Sequence, residues 1–245
     1  MSDYGAFEHH VMPSGAECWY RDSDHSYYSE VQAKGGNWTG VAATRLPSPS
    51  AIGGVLDIDK AQRLMAWAAR HPDALGYRDK RADEGTHVHV DVLEALASGD
   101  RIPSLADVDD DARGMAQGVL AWWNRRRPQP IGSELVVYSP HHGYAGRLDL
   151  LALVDGKRTI VDLKTSKFIG EGAHTQLAGY VLAAVEADYG PIEAAVILQV
   201  RSDGTFTELP CAAEASDFLA ALDAYRAAKR VKKLAASVQK EALAA

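Results

Sequence analysis

Cysteine is nearly missing from this 245-residue chain, and the two that occur are poorly placed for cross-linking. Cys18 and Cys211 lie far apart and neither has a CxxC neighbour, which excludes a disulfide framework and a thiolate metal cluster. No apolar run reaches the length needed to span a bilayer. The opening Met1-Ser2-Asp3-Tyr4-Gly5 has no basic stretch leading into an apolar one, so a protein of the reducing cytoplasm, without membrane partners, is expected. Surplus positive charge is also absent. The formal net charge of −7 argues against nucleic-acid binding by bulk electrostatics, while leaving room for a local basic groove. No internal repeat is apparent, and the length suits one decorated domain or at most two small ones.

Residues 1 to about 50 are rich in Gly, Ser, Pro, Asp and Tyr, and read as short strands and turns ornamenting the core. Helical spacing recurs from Asp59 to Arg70 and from Gly85 to Ser98, and a third helix is expected from about Ser104 to Arg127. Asp109, Asp110 and Asp111 read as its solvated first turn. From Glu134 the period becomes strand-like, giving Glu134 to Ser139, Tyr144 to Val154 and Arg158 to Thr165. A helix from Gly172 to Ala187, a buried strand from Ala194 to Val200 and an Ala-rich terminal helix from Ala215 complete the pattern. Leu148 to Val154 is apolar on both faces, so the expected fold is α/β, a mixed central sheet flanked by helices. An N-terminal extension over 1–84 and a core over 85–245 with a basic C-terminal helix are the expected divisions.

One hairpin carries the most information. Asp155-Gly156 is a strong two-residue turn signal, and with that turn Asp149 and Asp162 face each other across the ladder. Facing Cβ atoms sit roughly 5 Å apart, and two like charges at that separation repel by about 3 kcal/mol at an effective dielectric near 20. A bound cation would reverse the sign. Alternation puts Lys164 on the same face as Asp162, which offsets one of the two charges. A hard divalent ion such as Mg²⁺, which prefers carboxylate oxygens, would take up the rest. On the helix near Gly85, His89 shares a stripe with Leu93 and Leu96, so its imidazole points inward. Gln176 and Tyr180 share a face of the helix that follows the Lys164 strand.

The ordered set Gly85 to His89, Glu134, Gly146-Arg147-Leu148-Asp149, Asp162-Leu163-Lys164 and Gln176 to Tyr180 resembles the PD-(D/E)XK nuclease superfamily. It is most similar to the RecB-like exonuclease branch, with phage-encoded and CRISPR-associated members. The resemblance implies a restriction-endonuclease-like αβββαβ core and a Mg²⁺- or Mn²⁺-dependent phosphodiester hydrolase acting on DNA, in processing, recombination or replication. It implies His89, Asp149, Asp162 and the Leu163 carbonyl as metal ligands, and Lys164 as the group that positions water and stabilises charge on phosphate. Gln176 and Tyr180 match a QxxxY element tied to DNA contact, and Glu134 would be an outer or second-metal carboxylate. The cysteines that hold an iron–sulfur cluster in several relatives are missing, so no such cluster is expected. If phage-encoded, the chain would work in the bacterial host cytoplasm; strandedness, oligomeric state and recombination or replication partners stay open. Arg125, Arg126, Arg127, Lys167 and the basic terminal helix are candidates to line a DNA groove, while Trp122 and Trp123 read as core and rim. The competing expectation is a nucleic-acid-binding accessory or anti-defence protein that keeps the fold without cleaving.

Overall fold

The computed structural model describes residues 7–34, 37–57, 59–70, 88–99, 105, 108–110 and 112–244. The first 46 residues build an antiparallel sheet in sequential order, β1 (Phe7–Val11), β2 (Glu17–Arg21), β3 (Ser26–Lys34) and β4 (Asn37–Leu46). This is more regular than short strands and turns. Alternation along β2 turns only Cys18 and Tyr20 inward, too few residues for a clear periodic signal. Met12, Tyr20, Tyr27 and Leu46 pack this sheet against Val136, Tyr138 and Ala145 of the main one.

Helix α1 (Pro49–Gly53) starts where the Ser48 hydroxyl accepts from the Ala51 N–H at 3.3 Å, with proline in its first turn. Helix α2 (Lys60–Ala68) follows. Helix α3 opens with a π-helical stretch, Val88–Glu94, and continues as Ala95–Ser98. Gly85, Thr86 and His87, and with them the division expected after residue 84, lie outside the described residues. Helix α4 (Arg113–Arg126) begins later than the expected Ser104. Asp109 instead closes a turn with the Ala112 N–H, and Asp110 pairs with Arg113, so both precede the helix. Asp111 is outside the described residues.

The main sheet runs in sequential order through β5 (Gln129–Ser139), β6 (Tyr144–Val154), β7 (Lys157–Lys164), β8 (Ala194–Val200) and β9 (Phe206–Pro210). Only β7 and β8 are parallel, and helix α5 (Glu171–Glu186) supplies the crossover such a pair needs. Asp155 and Gly156 both have positive φ, the backbone of a two-residue hairpin turn. The expected register follows, with Val154 facing Lys157 and Leu150 facing Val161.

Both faces are covered, as the doubly apolar strands require. On one, Leu150, Val161, Leu163 and Leu198 meet Val92 and Leu93 of α3 and Met115, Val119 and Trp122 of α4. On the other, Leu151, Ile160 and Ile197 meet Leu177 of α5 and Phe218 of the terminal helix α6 (Ala215–Ala244). Trp122 is fully buried and Trp123 packs at the edge of that cluster, the core and rim expected.

Candidate metal centre

Beyond the Leu150–Val161 pair the ladder between β6 and β7 stops, just short of Asp149 and Asp162. The Leu163 N–H turns instead to Asp149, donating to its Oδ2 at 2.6 Å. The fork leaves two carboxylates at the sheet interior with little water. Asp162 is 1 % exposed. The Lys164 Nζ lies 2.5 Å from Asp162 Oδ2, an ion pair that is this buried oxygen's one cationic contact among the described residues. Gln176 donates to Asp162 Oδ1 at 3.4 Å and to the Tyr180 hydroxyl at 3.1 Å, so the helical pair closes over the carboxylate.

His89 enters from α3, with Nδ1 3.5 Å from Asp149 Oδ1. The π-helical turn that carries it buries Val88, Val92 and Leu93 completely while leaving the imidazole half-buried. Glu134 enters from β5. A register shift between Pro130 and Gly132 is followed by Ser133 facing Leu150 and Leu135 facing Leu148, which sets Glu134 across from Asp149. Its φ of +49° is a left-handed conformation uncommon for a residue with a side chain. One donor atom each from His89, Glu134 and Asp149 lie within 4.8 Å of one another.

The electrostatics follow from crowding and burial. Burial pushes Glu134 up to about 7, reinforced by Asp149. Burial also raises Asp162 to about 6, since Lys164 opposes the shift without cancelling it and Asp149 adds to it. Burial presses Asp149 the same way, but His89, Lys164 and the Leu163 N–H outweigh it and hold that carboxyl below its ordinary value. His89 and Lys164 are both raised: burial disfavours their charges, and the neighbouring carboxylates more than compensate. Burial, then the two aspartates, raises the Tyr180 phenol well above its ordinary value.

These residues fit a divalent cation. Two carboxylates and an imidazole converge, a third carboxylate lies buried beside them against Lys164, and carboxylates outnumber the single lysine. The structure therefore brings together His89, Glu134, Asp149, Asp162, Leu163, Lys164, Gln176 and Tyr180. Glu134 stands among the three groups whose donor atoms lie close enough to share an ion. Asp162 lies on the Lys164 and Gln176 side.

Other positions named from sequence lie elsewhere. Arg126 is committed to Glu208 and Asp155, Arg125 lies over the Phe206 ring, and Arg127 ends α4 in a left-handed conformation. Two supporting residues escaped the sequence reading. Gln199, 4 % exposed, donates to the Ser166 and Lys167 carbonyls and fixes the loop after Lys164. A polar residue inside the apolar run Ala194–Val200 was the available signal. Asp57 Oδ1 accepts from the Gly172 N–H at 3.0 Å, anchoring the start of α5.

A family model described as the PD-(D/E)XK nuclease superfamily matches residues 62–245, most of the chain and every residue of the centre. No curated protein matches the chain. No described helix is long and apolar enough to cross a membrane. With the forked strands, the buried carboxylates and the family match in agreement, the chain belongs to the PD-(D/E)XK nuclease superfamily.

Proposed function

We propose that the protein is a divalent-metal-dependent deoxyribonuclease of the RecB-like exonuclease type, hydrolysing phosphodiester bonds with Mg²⁺ or Mn²⁺. The observation that carries this reading is the crowding of carboxylate at the β6–β7 fork, where Glu134, Asp149 and a buried Asp162 gather around a single lysine and one imidazole. His89, Glu134 and Asp149 would hold the ion, with Asp162 and the Leu163 carbonyl beside them. A bound ion supplies Lewis-acid polarisation of the phosphate and an acidified water. Lys164, raised by its acidic neighbours, stays protonated at neutral pH and is suited to stabilise charge on phosphate and orient water. Gln176 holds Asp162 in place, and Tyr180 backs Gln176.

The test is cleavage of linear and covalently closed circular DNA with Mg²⁺ or Mn²⁺, by the parent and by Asp149→Asn. The parent should degrade linear DNA and spare circles. Removing even an outer partner of a metal site costs about 10- to 100-fold in affinity or activity, so losing this ligand should cost at least that. Equal attack on circles would refute the exonuclease assignment. DNA retention without cleavage by the parent would refute the enzyme and favour a non-cleaving binder.

A further inference from the structure

A cavity of about 330 Å³ opens between the N-terminal sheet, α1 and the terminal helix α6. Its lining includes Arg45, Lys229, His25, Tyr225 and Ser48, and no carboxylate. In a chain of net charge −7 that is an unusual concentration of one sign. Neither Arg45 nor Lys229 has an ion-pair partner among the described residues; Lys229 lies over the Tyr225 ring, 5.4 Å from its centroid. His25 is engaged at Nδ1 by the Tyr20 hydroxyl at 2.8 Å and has Asp22 3.8 Å away, whereas Lys229 and Arg45, whose charge is felt at the Asp24 carboxylate, make no ion-pair contact among the described residues. Two unpaired cations facing one concavity match an anion of high charge density, and arginine with lysine beside an aromatic ring suits phosphate.

The cavity wall is tied to the metal centre by backbone. The Ala145 N–H donates to the Pro47 carbonyl at 3.2 Å, and Pro49 packs so tightly on Gly146 that a Cβ there would meet the proline ring at 2.7 Å and Tyr180 at 2.8 Å. Three residues along β6 from Gly146 stands Asp149, a span of at most about 11 Å. Nucleotides in a stacked strand advance about 3.4 Å each, so a strand bound at Asp149 and running along β6 toward Gly146 would reach this wall within a few nucleotides. Arg45 lies outside the region matched by the nuclease family, and the cavity exists only because the N-terminal sheet packs here.

We propose that this cavity seats a backbone phosphate of the bound nucleic-acid strand, held by Arg45 and Lys229. The proposal rests on the nuclease reading and gives the N-terminal sheet a part in gripping substrate away from the scissile bond.

Counterion release separates this from a structural role. Binding of a fluorescein-labelled single-stranded oligonucleotide is followed by anisotropy across a salt series, with Ca²⁺ in place of Mg²⁺. Each neutralised phosphate contributes about 0.7 to the slope of log K against log salt for single strands, so the double variant Arg45→Ala/Lys229→Ala should flatten it by about that amount and each single variant by part of it. Arg45→Lys and Lys229→Arg should restore the slope, and Lys157→Ala, at the Asp155-Gly156 turn, should leave it unchanged. A parent that binds DNA while the double variant keeps the full slope overturns the inference and leaves the nuclease reading standing. A parent that binds neither this oligonucleotide nor its duplex overturns both. Competition by inorganic phosphate with no change in the DNA slope would assign the cavity to the free ion and overturn the strand assignment.

Discussion

Replacing Asp162 by asparagine should make the metal-free protein more stable and the metal-bound protein less responsive. Asp162 is 1 % exposed, and burial raises it from 3.8 to about 6 despite the Lys164 ammonium 2.5 Å away. That displacement is worth about 3 kcal/mol between the two protonation states. The folded-state value is raised, so the carboxyl's contribution is fully present below pH 3.8 and is lost as pH rises through about 6. Asparagine mimics the protonated form at every pH. Urea unfolding in EDTA should therefore give parent and Asp162→Asn similar stabilities near the low end of that window, and an advantage to the variant of about 3 kcal/mol above it. Mg²⁺ at a thousand times its Kd should reverse the order, since that stabilises the parent by about 4.1 kcal/mol and the variant lacks one of the charges that attract the ion. A variant less stable than the parent above pH 6 in EDTA, or a difference that ignores pH, would refute the reasoning.

Two further predictions concern the scaffold. Glu208 accepts from Trp122 Nε1 at 2.7 Å and from Arg126, and although burial pushes its carboxyl up, these donors hold it below its ordinary value. Its contribution is thus present above 4.5 and lost as pH falls through the depressed folded value, and Glu208→Gln should cost about 2 kcal/mol at neutral pH and much less in acid by urea titration. Gly179 of α5 faces the Phe218 ring so closely that a Cβ would collide with it. Gly179→Ala should lower the melting temperature, because overpacking of about 1–3 kcal/mol exceeds the gain of about 1 kcal/mol in helix propensity; a higher melting temperature would show that α6 can move aside.

The core elements were legible where period and punctuation agreed. Asp155-Gly156 fixed the β6–β7 register, and Ala194–Val200 emerged with the expected ends because an apolar run sits between polar flanks. Strand β9 was not legible: Phe206–Pro210 is five residues, half-buried at a sheet edge and closed by proline. The start of α4 was misplaced because three aspartates resemble a helical first turn, whereas Asp109 and Asp110 spend their bonds on a preceding turn and on Arg113. In the site, alternation puts Asp162 and Lys164 together, whereas the facing pair expected of Asp149 and Asp162 from turn length is replaced by a fork, because the Leu163 N–H turns to the Asp149 side chain. The place of Glu134 was not legible, because it depends on an irregularity near Ile131 and on a left-handed backbone that no side-chain period encodes.

That irregularity gives the strongest physical reason for a cation at this locus. A left-handed residue with a side chain costs on the order of 1–2 kcal/mol, and here it brings a third carboxylate toward two that are already buried. The π-helical turn at Val88–Glu94 is a second departure from regular backbone, and it delivers His89 to the same point. Burying Asp162 adds a penalty of about 3 kcal/mol above pH 6. Among the described residues the other left-handed positions with side chains, His25, Arg127, Asp155 and Asp188, are exposed at turns and helix ends. By contrast, left-handed backbone meets a buried carboxylate cluster where imidazole and carboxylate oxygens converge. A bound divalent ion converts the repulsion among Glu134, Asp149 and Asp162 into attraction, offsetting the charge penalty and the strain needed to aim Glu134 and His89.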